Sequence, residues 1–260
     1  SGATTLDGVF LTNAGQDFTF YHGRENPDRA LWDKFRRLES HQISTITAKC
    51  FAILQSPHRL AICNVKVCLL LTHAVDVTYS HVIHEVPLLC FTEMWIDTVV
   101  KLPGYKCVSL AIQQLRRAAT VVVYECLDEI TLLPHNTPYL FNSLPHMSLG
   151  DAWAVKTSQG FVVAVVYISP GTSRNDVINF LHHNFSAMCD EECAGDRHWE
   201  LPAFLDAELR LHLLSDITQS TTCNNCCLDL VFGKGIASRV QCVPLPTYFS
   251  DHKAVITVIE

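Results

Sequence analysis

The sequence predicts an α/β fold in which β-sheets are layered against helices, and three observations support this prediction. From residue 60 onward, apolar runs of strand length alternate with segments of helical periodicity. Hydrophobic residues make up 48% of the chain, which is enough for a large core, and charged residues at 17% are too few for a disordered protein. A length of 260 residues suits one large α/β domain with a short appendage.

The N-terminal 55 residues differ in pattern from the rest of the chain and are predicted to form the appendage. Within them, residues 30–38 have helical spacing, with Leu31, Phe35 and Leu38 on one face. A helix of this length is only marginally stable alone and needs a surface to pack on. We therefore expect an appendage with its linker over residues 1–55 and a main domain over residues 56–260.

Residues 87–96 form the most informative predicted strand, because this apolar run contains a single carboxylate, Glu93. A strand that buries both faces reads as a continuous apolar run, so Glu93 is expected at the strand's end. A carboxylate there is costly to desolvate without a partner, so a metal ion, another cation or several donors should meet it. The alternative is a surface Glu at a strand exit, and this run alone favours neither interpretation.

The remaining predicted elements continue the alternation of strands and helices. They cover residues 60–71, 119–124, 160–169, 175–185 (a helix), 204–214, 228–232 and 253–259. The longest apolar run, residues 161–168, is far shorter than a bilayer requires, so no membrane span is expected. Twelve Cys without regular spacing, and no visible secretory signal, predict reduced thiols in an intracellular protein.

Charge and motif content limit the class of partner. The formal net charge of −7 argues against a protein that coats nucleic acid, because phosphate neutralisation uses clustered Lys and Arg. A nuclease with a locally basic groove is compatible with this charge. The chain has no Gly-rich phosphate-binding loop, so neither an ATPase nor a nucleotide cofactor is predicted.

Six short motifs follow one another along the chain. They are Cys63-Asn64-Val65, Phe91-Thr92-Glu93-Met94-Trp95, Val166-Tyr167-Ile168-Ser169-Pro170, Gly195-Asp196-Arg197-His198, Leu228-Asp229-Leu230-Val231-Phe232 and Ser250-Asp251-His252. In this order they resemble the motifs of the endonuclease/exonuclease/phosphatase superfamily, which includes apurinic endonucleases and the endonucleases of non-LTR retrotransposons. Each motif alone is a weak signal, whereas six in the family's order form a strong one. The resemblance implies a four-layer α/β sandwich of two mixed β-sheets flanked by helices, with the site at one edge.

The resemblance also implies a metal site. Asn64, Glu93 and Asp251 would hold one hard cation, Mg²⁺ or Mn²⁺ as a substitute, because such ions prefer oxygen ligands. His252 would point at the scissile phosphate and be oriented by Asp229. Taken singly, each of these residues also has an ordinary structural interpretation as a turn residue, a cap or a surface side chain.

The part of the implied site that would activate water and contact the phosphate departs from the superfamily pattern. Asp196 would position or deprotonate the attacking water, and Tyr167 would donate to a phosphate oxygen. His198 stands where the superfamily has a phosphate-contacting Asn, and residues 188–195 carry three acids where a buried strand is expected. We therefore expect a metal-binding half that persists and a water-activating half that is impaired.

Residues 3–13 resemble the last conserved motif of Pif-type DNA helicases, with Gly2 where that family has its nucleotide-sensing Arg. A helicase remnant joined to such an endonuclease resembles the proteins of Helitron-like transposons. The resemblance implies a weakened DNA endonuclease of transposon origin, with DNA as its partner and a nuclear location. The alternatives are a catalytically inactive nucleic-acid-binding or interaction relic of the same fold and a phosphatase of the superfamily. The sequence predicts no oligomeric state.

Overall fold

The structure, a computed structural model, covers the chain in separate ranges. It describes residues 40–57, 60–67, 70–93, 99–110, 121–127, 132–134, 150–157, 161–168, 172–185, 211–216, 218–222, 229–234 and 240–260. The helicase-like segment 3–13 and the predicted helix over 30–38 lie outside the described residues. So do two of the predicted catalytic residues, Asp196 and His198.

These ranges contain four helices and eleven strands, and most consecutive strands have no described helix between them. The helices are α1 (Ser40–Gln55), α2 (Leu70–Tyr79), α3 (His81–His84) and α4 (Arg174–Phe185). The strands are β1 (Leu60–Lys66), β2 (Leu88–Thr92), β3 (Tyr105–Leu110), β4 (Val122–Cys126), β5 (Leu132–Pro134), β6 (Gly150–Thr157), β7 (Val162–Ile168), β8 (His212–Leu213), β9 (Phe232–Gly233), β10 (Val240–Leu245) and β11 (Ala254–Ile259). None of the described helices is long and apolar enough to cross a membrane.

The main sheet has six strands in the order β10-β11-β1-β2-β4-β3. β1 and β2 are parallel, with Asn64 opposite Cys90, whereas β1 and β11 are antiparallel, with Asn64 opposite Val255. Parallel strands end at the same edge of a sheet, so β1 and β2 end together and the antiparallel β11 begins beside them. We call this edge, formed by the ends of β1 and β2 and the start of β11, the site edge.

Helices α1, α2 and α3 cover one face of the main sheet through a large apolar cluster. Val65, Phe91 and Tyr124 form part of its sheet side from buried positions on three neighbouring strands. The rings of Phe91 and Tyr124 meet edge to face with centroids 5.7 Å apart. Burial of a side chain such as Phe91 stabilises the fold by about 2 kcal/mol, so this cluster fixes how β2 sits against β4.

Helix α1 belongs to this cluster, although the sequence pattern assigns its residues to the appendage. Ile43, Cys50 and Ile53 recur at helical spacing, are buried and pack with residues of β10 and β11. The predicted boundary between residues 55 and 56 stays a prediction. The packing of α1 favours placing residues 40–55 with the main sheet.

The opposite face of the main sheet packs on a second sheet. This sheet has the order β5-β6-β7 and is antiparallel in the described residues. Leu88, Cys90, Val121 and Val123 from the main sheet form a buried cluster with Val165 of β7. The predicted fold class is confirmed, because two sheets pack face to face and helices cover the outer face of the mixed one.

Candidate active site

The end of β1 places Asn64 and Lys66 on one face of the main sheet. Successive side chains of a strand point to opposite faces, and in β1 the partly exposed positions are Ile62, Asn64 and Lys66, whereas Cys63 and Val65 are buried. Ile62 packs against the cluster between the two sheets. Asn64 and Lys66 therefore share the face turned to the second sheet and lie next to the site edge.

The side-chain oxygen of Asn64 is buried, and this Oδ1 atom has no hydrogen-bond partner among the described residues. Buried polar atoms are nearly always paired, and leaving an acceptor unpaired costs about 1–3 kcal/mol. A neutral carbonyl oxygen in this state can be satisfied by a hydrogen-bond donor or by a hard cation. Asn64 is therefore poised to bind a group that comes from outside the described part of the chain.

Glu93 follows β2 directly and has an unusual backbone conformation. Its φ angle is 56°, and it is the one non-glycine residue with positive φ in the part of the chain that the structure describes. The left-handed conformation costs a residue with a Cβ atom roughly 1–2 kcal/mol. Such strain is stored most often at functional sites, because it re-aims a side chain at the end of an element.

A cation does meet this carboxylate, and it is the ammonium group of Lys66. Lys66 Nζ lies 2.9 Å from Glu93 Oε2 and 3.6 Å from Asp251 Oδ2. The side chains of Lys66 and Glu93 are 18% and 12% exposed, whereas that of Asp251 is 47% exposed. Two carboxylates from different parts of the chain thus converge on the ammonium group of Lys66 at the site edge.

Hydrogen bonds fasten the turn of residues 250–252 to the end of β1. The Ser250 hydroxyl donates to the backbone carbonyl of Lys66 and accepts from the backbone N–H of His252. A further backbone bond, from Val67 N–H to the Thr92 carbonyl at 3.0 Å, ties the ends of β1 and β2. These hydrogen bonds hold the chain next to Asp251 and Glu93 against the end of β1.

His252 and Asp229 form a close pair beside the carboxylates. His252 Nδ1 lies 2.7 Å from Asp229 Oδ2, and the two side chains are 12% and 14% exposed. An ionised carboxylate only accepts hydrogen bonds, so Nδ1 of His252 is the donor in this contact. The pair fixes both the tautomer and the orientation of the ring.

The segment around Thr221 holds this pair in place. The Asp229 backbone N–H donates to Thr221 Oγ1 at 3.0 Å, and Lys253 N–H donates to the Thr221 carbonyl at 2.7 Å. Thr222 also forms an isolated antiparallel bridge with His252. One buried Thr segment thus contacts both members of the His252 and Asp229 pair.

Of the eight predicted site residues, five gather at the site edge: Asn64, Glu93, Asp229, Asp251 and His252. Tyr167 lies on β7 and packs against the cluster between the sheets, and its role at the site stays a prediction. Asp196 and His198 lie outside the described residues, so their roles also stay predictions.

Lys66 is the residue that the sequence reasoning misses. The signal is present, because Lys66 follows Asn64 by two positions and a strand places such residues on the same face. Its ammonium group forms ion pairs with both Glu93 and Asp251 and so places positive charge beside these carboxylates at the site edge.

The oxygen atoms at the site edge are of the types that bind a hard cation, although the described residues do not surround one position with ionisable side chains. Within the described ranges, no group of three or more His, Cys, Asp or Glu side chains has the arrangement of a metal site. The available donors are the carboxylates of Glu93 and Asp251 and the unpaired Oδ1 of Asn64. Two carboxylates and one amide leave room for water and substrate oxygens, which is how Mg²⁺ is usually bound.

No protein-family model and no curated protein matches the chain. Among solved structures, the chain is similar to the endonuclease domain of TRAS1, a telomere-specific non-LTR retrotransposon, with a TM-score of 0.54. The sequence identity is 13%, and the match covers 78% of this chain and 99% of that one. The chain therefore has the α/β fold of a retrotransposon endonuclease domain.

Proposed function

We propose that the site edge is the active site of a divalent-metal-dependent phosphodiesterase that cleaves DNA. The observation that carries this proposal is the buried Oδ1 of Asn64, which has no hydrogen-bond partner among the described residues, at the sheet edge where the carboxylates of Glu93 and Asp251 both contact the Lys66 ammonium. These three oxygen ligands suit Mg²⁺, or Mn²⁺ as a substitute. When bound there, such an ion would supply positive charge to a phosphate oxygen during hydrolysis.

His252 is the group proposed to contact the scissile phosphate. Because Asp229 accepts the proton on Nδ1, Nε2 can be presented to a phosphate oxygen. With both ring nitrogens protonated, the Nε2–H would donate to that oxygen and stabilise the charge that develops in the transition state without reorganisation during the reaction. Asp229 is therefore proposed as a positioning residue that acts through His252.

The other catalytic roles concern the attacking water and the remaining phosphate oxygens. Asp196 is proposed to orient and deprotonate the water, and Tyr167 to donate its hydroxyl to the phosphate. His198 in place of an Asn changes the shape and charge of a phosphate contact. We infer an enzyme whose rate is lowered at this water-activating half.

DNA is the substrate class that fits these features best. The fold is that of an endonuclease domain from a retrotransposon, and the five clustered site residues are of types that phosphodiester hydrolysis uses. The net charge of −7 implies that any phosphate-binding surface is local rather than spread over the protein. A transposon origin and a nuclear location accompany this proposal as expectations.

The test is nicking of supercoiled plasmid and of a duplex with one abasic site, in Mg²⁺ or Mn²⁺. We expect cleavage by the wild-type chain, a loss of at least 100-fold in Glu93→Gln, and a gain in His198→Asn. Glu260→Gln is the matched control, because Glu260 is an exposed carboxylate just beyond the end of β11. Folded protein that leaves both substrates intact, even as the His198→Asn variant, contradicts the proposed activity.

A second candidate function is favoured by one observation, the Lys66 ammonium between Glu93 and Asp251. A protein that neutralises its own carboxylates can bind nucleic acid without a metal ion and without cleaving it. Fluorescence anisotropy with labelled duplex in EDTA separates the two functions. Tight binding in EDTA with no cleavage in Mn²⁺ supports the binding module.

A further inference from the structure

The position of Lys66 has a consequence for any cation that binds at the site edge. Lys66 Nζ is within 3.6 Å of a carboxylate oxygen of both Glu93 and Asp251. The ammonium thus lies at the point where the two carboxylates converge, which is also where a divalent ion would be bound. Two cations cannot share this point, because their mutual repulsion is strong in a partly buried site.

The backbone limits how the carboxylates can respond. Lys66 ends β1, and its carbonyl is held by the Ser250 hydroxyl, while Glu93 is fixed just beyond the end of β2 with φ at 56°. The backbone that carries the two carboxylates is therefore held at the site edge. The Lys66 side chain has a flexible four-carbon stem, so it is the part of the arrangement that can move away.

We propose that Lys66 is a built-in competitor for the metal, whose ammonium occupies the carboxylate site in the metal-free protein and must leave before a divalent ion binds. The inference rests on the proposed function, since Glu93 and Asp251 are the metal ligands of that proposal. In this proposal Lys66 sets the affinity of the site for a metal ion. Its ammonium group lowers that affinity and keeps the metal-free site ordered. Removal of the Lys66 charge therefore strengthens metal binding and lowers the stability of the metal-free protein.

The test is calorimetric titration of the full 260-residue chain with Mn²⁺ alone. Lys66→Met removes the charge and keeps much of the apolar stem, so we expect Mn²⁺ to bind at least tenfold more tightly, equivalent to about 1.4 kcal/mol. Lys66→Arg keeps the charge and should bind Mn²⁺ no more tightly than the wild type. Lys66→Gln replaces Lys66→Met if the latter does not fold.

Lys106→Met is the matched control. Lys106 Nζ lies 3.4 Å from Glu125 Oε1, and Glu125 pairs with Leu88 at the start of β2, at the opposite end of that strand from Glu93. This variant removes a Lys–Glu pair of the same sheet at a distance from the site edge. Its Mn²⁺ affinity should equal that of the wild type.

Thermal unfolding in EDTA provides a readout that does not involve metal or activity. Lys66→Met should unfold at a lower temperature than the wild type, because Glu93 and Asp251 then lack their shared counterion. Added Mn²⁺ should raise its unfolding temperature by more than it raises that of the wild type.

The outcomes separate this inference from the proposed function. Unchanged or weaker Mn²⁺ binding by folded Lys66→Met overturns the inference, and metal-dependent nicking by the wild type would still support the enzyme. Mn²⁺ binding by Lys66→Met in a chain whose wild type neither binds Mn²⁺ nor nicks DNA supports the inference and contradicts the enzyme. Absence of Mn²⁺ binding in every variant overturns both the inference and the metal dependence.

Discussion

His252 Nδ1 lies 2.7 Å from the Oδ2 atom of Asp229, and both side chains are largely withdrawn from solvent. The two residues are separated by 23 positions in the chain, so the pair depends on the fold rather than on local geometry. It is held by hydrogen bonds and a bridge from Thr221 and Thr222. Two partly buried groups at this distance form a unit in which one residue orients the other.

We expect Asp229→Asn to lower the nicking rate by about 10–100-fold, the usual range for loss of an orienting partner. The amide can accept or donate, so it no longer selects the ring tautomer of His252. Binding of DNA in EDTA should be unchanged, since the ring itself is retained. A rate equal to that of the wild type would show that Asp229 does not act through His252.

Asp216→Asn is the matched control for this change. Asp216 is exposed and accepts hydrogen bonds from Thr218 and Gln219, which lower the pKa of its carboxyl group below the usual value. The substitution removes the same charge from a nearby segment without touching His252. Its nicking rate should match that of the wild type.

The Oδ1 of Asn64, which lacks a hydrogen-bond partner in the part of the chain that the structure describes, gives a second prediction, for Asn64→Leu. In EDTA this variant should be as stable as the wild type or more stable, by up to about 1 kcal/mol, because an apolar side chain of similar size replaces an unsatisfied acceptor. The stabilisation by Mn²⁺ should disappear. Urea unfolding with and without Mn²⁺ measures both effects.

The opposite pattern would count against this interpretation of Asn64. A loss of more than about 2 kcal/mol in EDTA would mean that Oδ1 has a partner in a range beyond the described residues. Asn64→Asp serves as the comparison, because it keeps the shape and adds a charge that should tighten Mn²⁺ binding.

The fold could be predicted where local pattern and burial coincide. β2 is buried on both faces and lies within the apolar run over 87–96 that predicts a strand, and Glu93 lies just after β2, as expected for a carboxylate at a strand's end. β7 and β11 are recognisable for the same reason, since both are rich in Val and Ile.

Strands that break the pattern are not predictable in this way. β3 has a register shift between Cys107 and Ser109, which disrupts the alternation of side chains. β10 contains Pro244, which is tolerated because β10 is at the edge of the main sheet. The pattern over 204–214 predicts an element without indicating its type, and the end of that element is the strand β8, which pairs with the distant β9.

The site could be predicted as a set of residues but not as an arrangement. The order β11-β1-β2 brings Asp251, Asn64 and Glu93 to one edge, and strand order is a property of long-range pairing. The contact between Lys66 and both carboxylates depends in addition on side-chain geometry, which no sequence pattern encodes. The resemblance to a nuclease family implies which residues would be ligands, whereas the structure shows the Lys66 ammonium group in contact with two of them.

The positive φ of Glu93 gives a third prediction, which compares Glu93→Gly with Glu93→Ala. Both variants remove the carboxylate, so both lose the contact with Lys66 equally. At an ordinary strand exit Ala is the more stable residue, whereas at φ near 56° Gly should be more stable by about 1 kcal/mol. Urea unfolding in EDTA measures the difference, and a more stable Ala variant would show that the backbone is not strained at this position.

The buried thiols give a fourth prediction, on the pH dependence of stability. Burial raises the pKa of Cys50 and of Cys90 from 9.0 to about 12, and it raises the pKa of Cys63 well above 9.0. Because these folded-state pKa values exceed the unfolded value, the folded protein holds the thiol protons more tightly. The resulting stabilisation is complete below pH 9.0 and is lost as the pH rises towards about 12.

Cys90→Ala isolates one of these thiols, since Cys90 lies fully buried between the two sheets. Its free energy of unfolding should be lower than that of the wild type at neutral pH, because the smaller side chain leaves a cavity. Above pH 9.0 it should fall less steeply with pH, because one titrating group is absent. Urea unfolding across this range compares the two slopes. Parallel slopes would mean that the Cys90 thiol ionises in the folded protein as readily as in the unfolded chain, which is incompatible with its burial between the sheets.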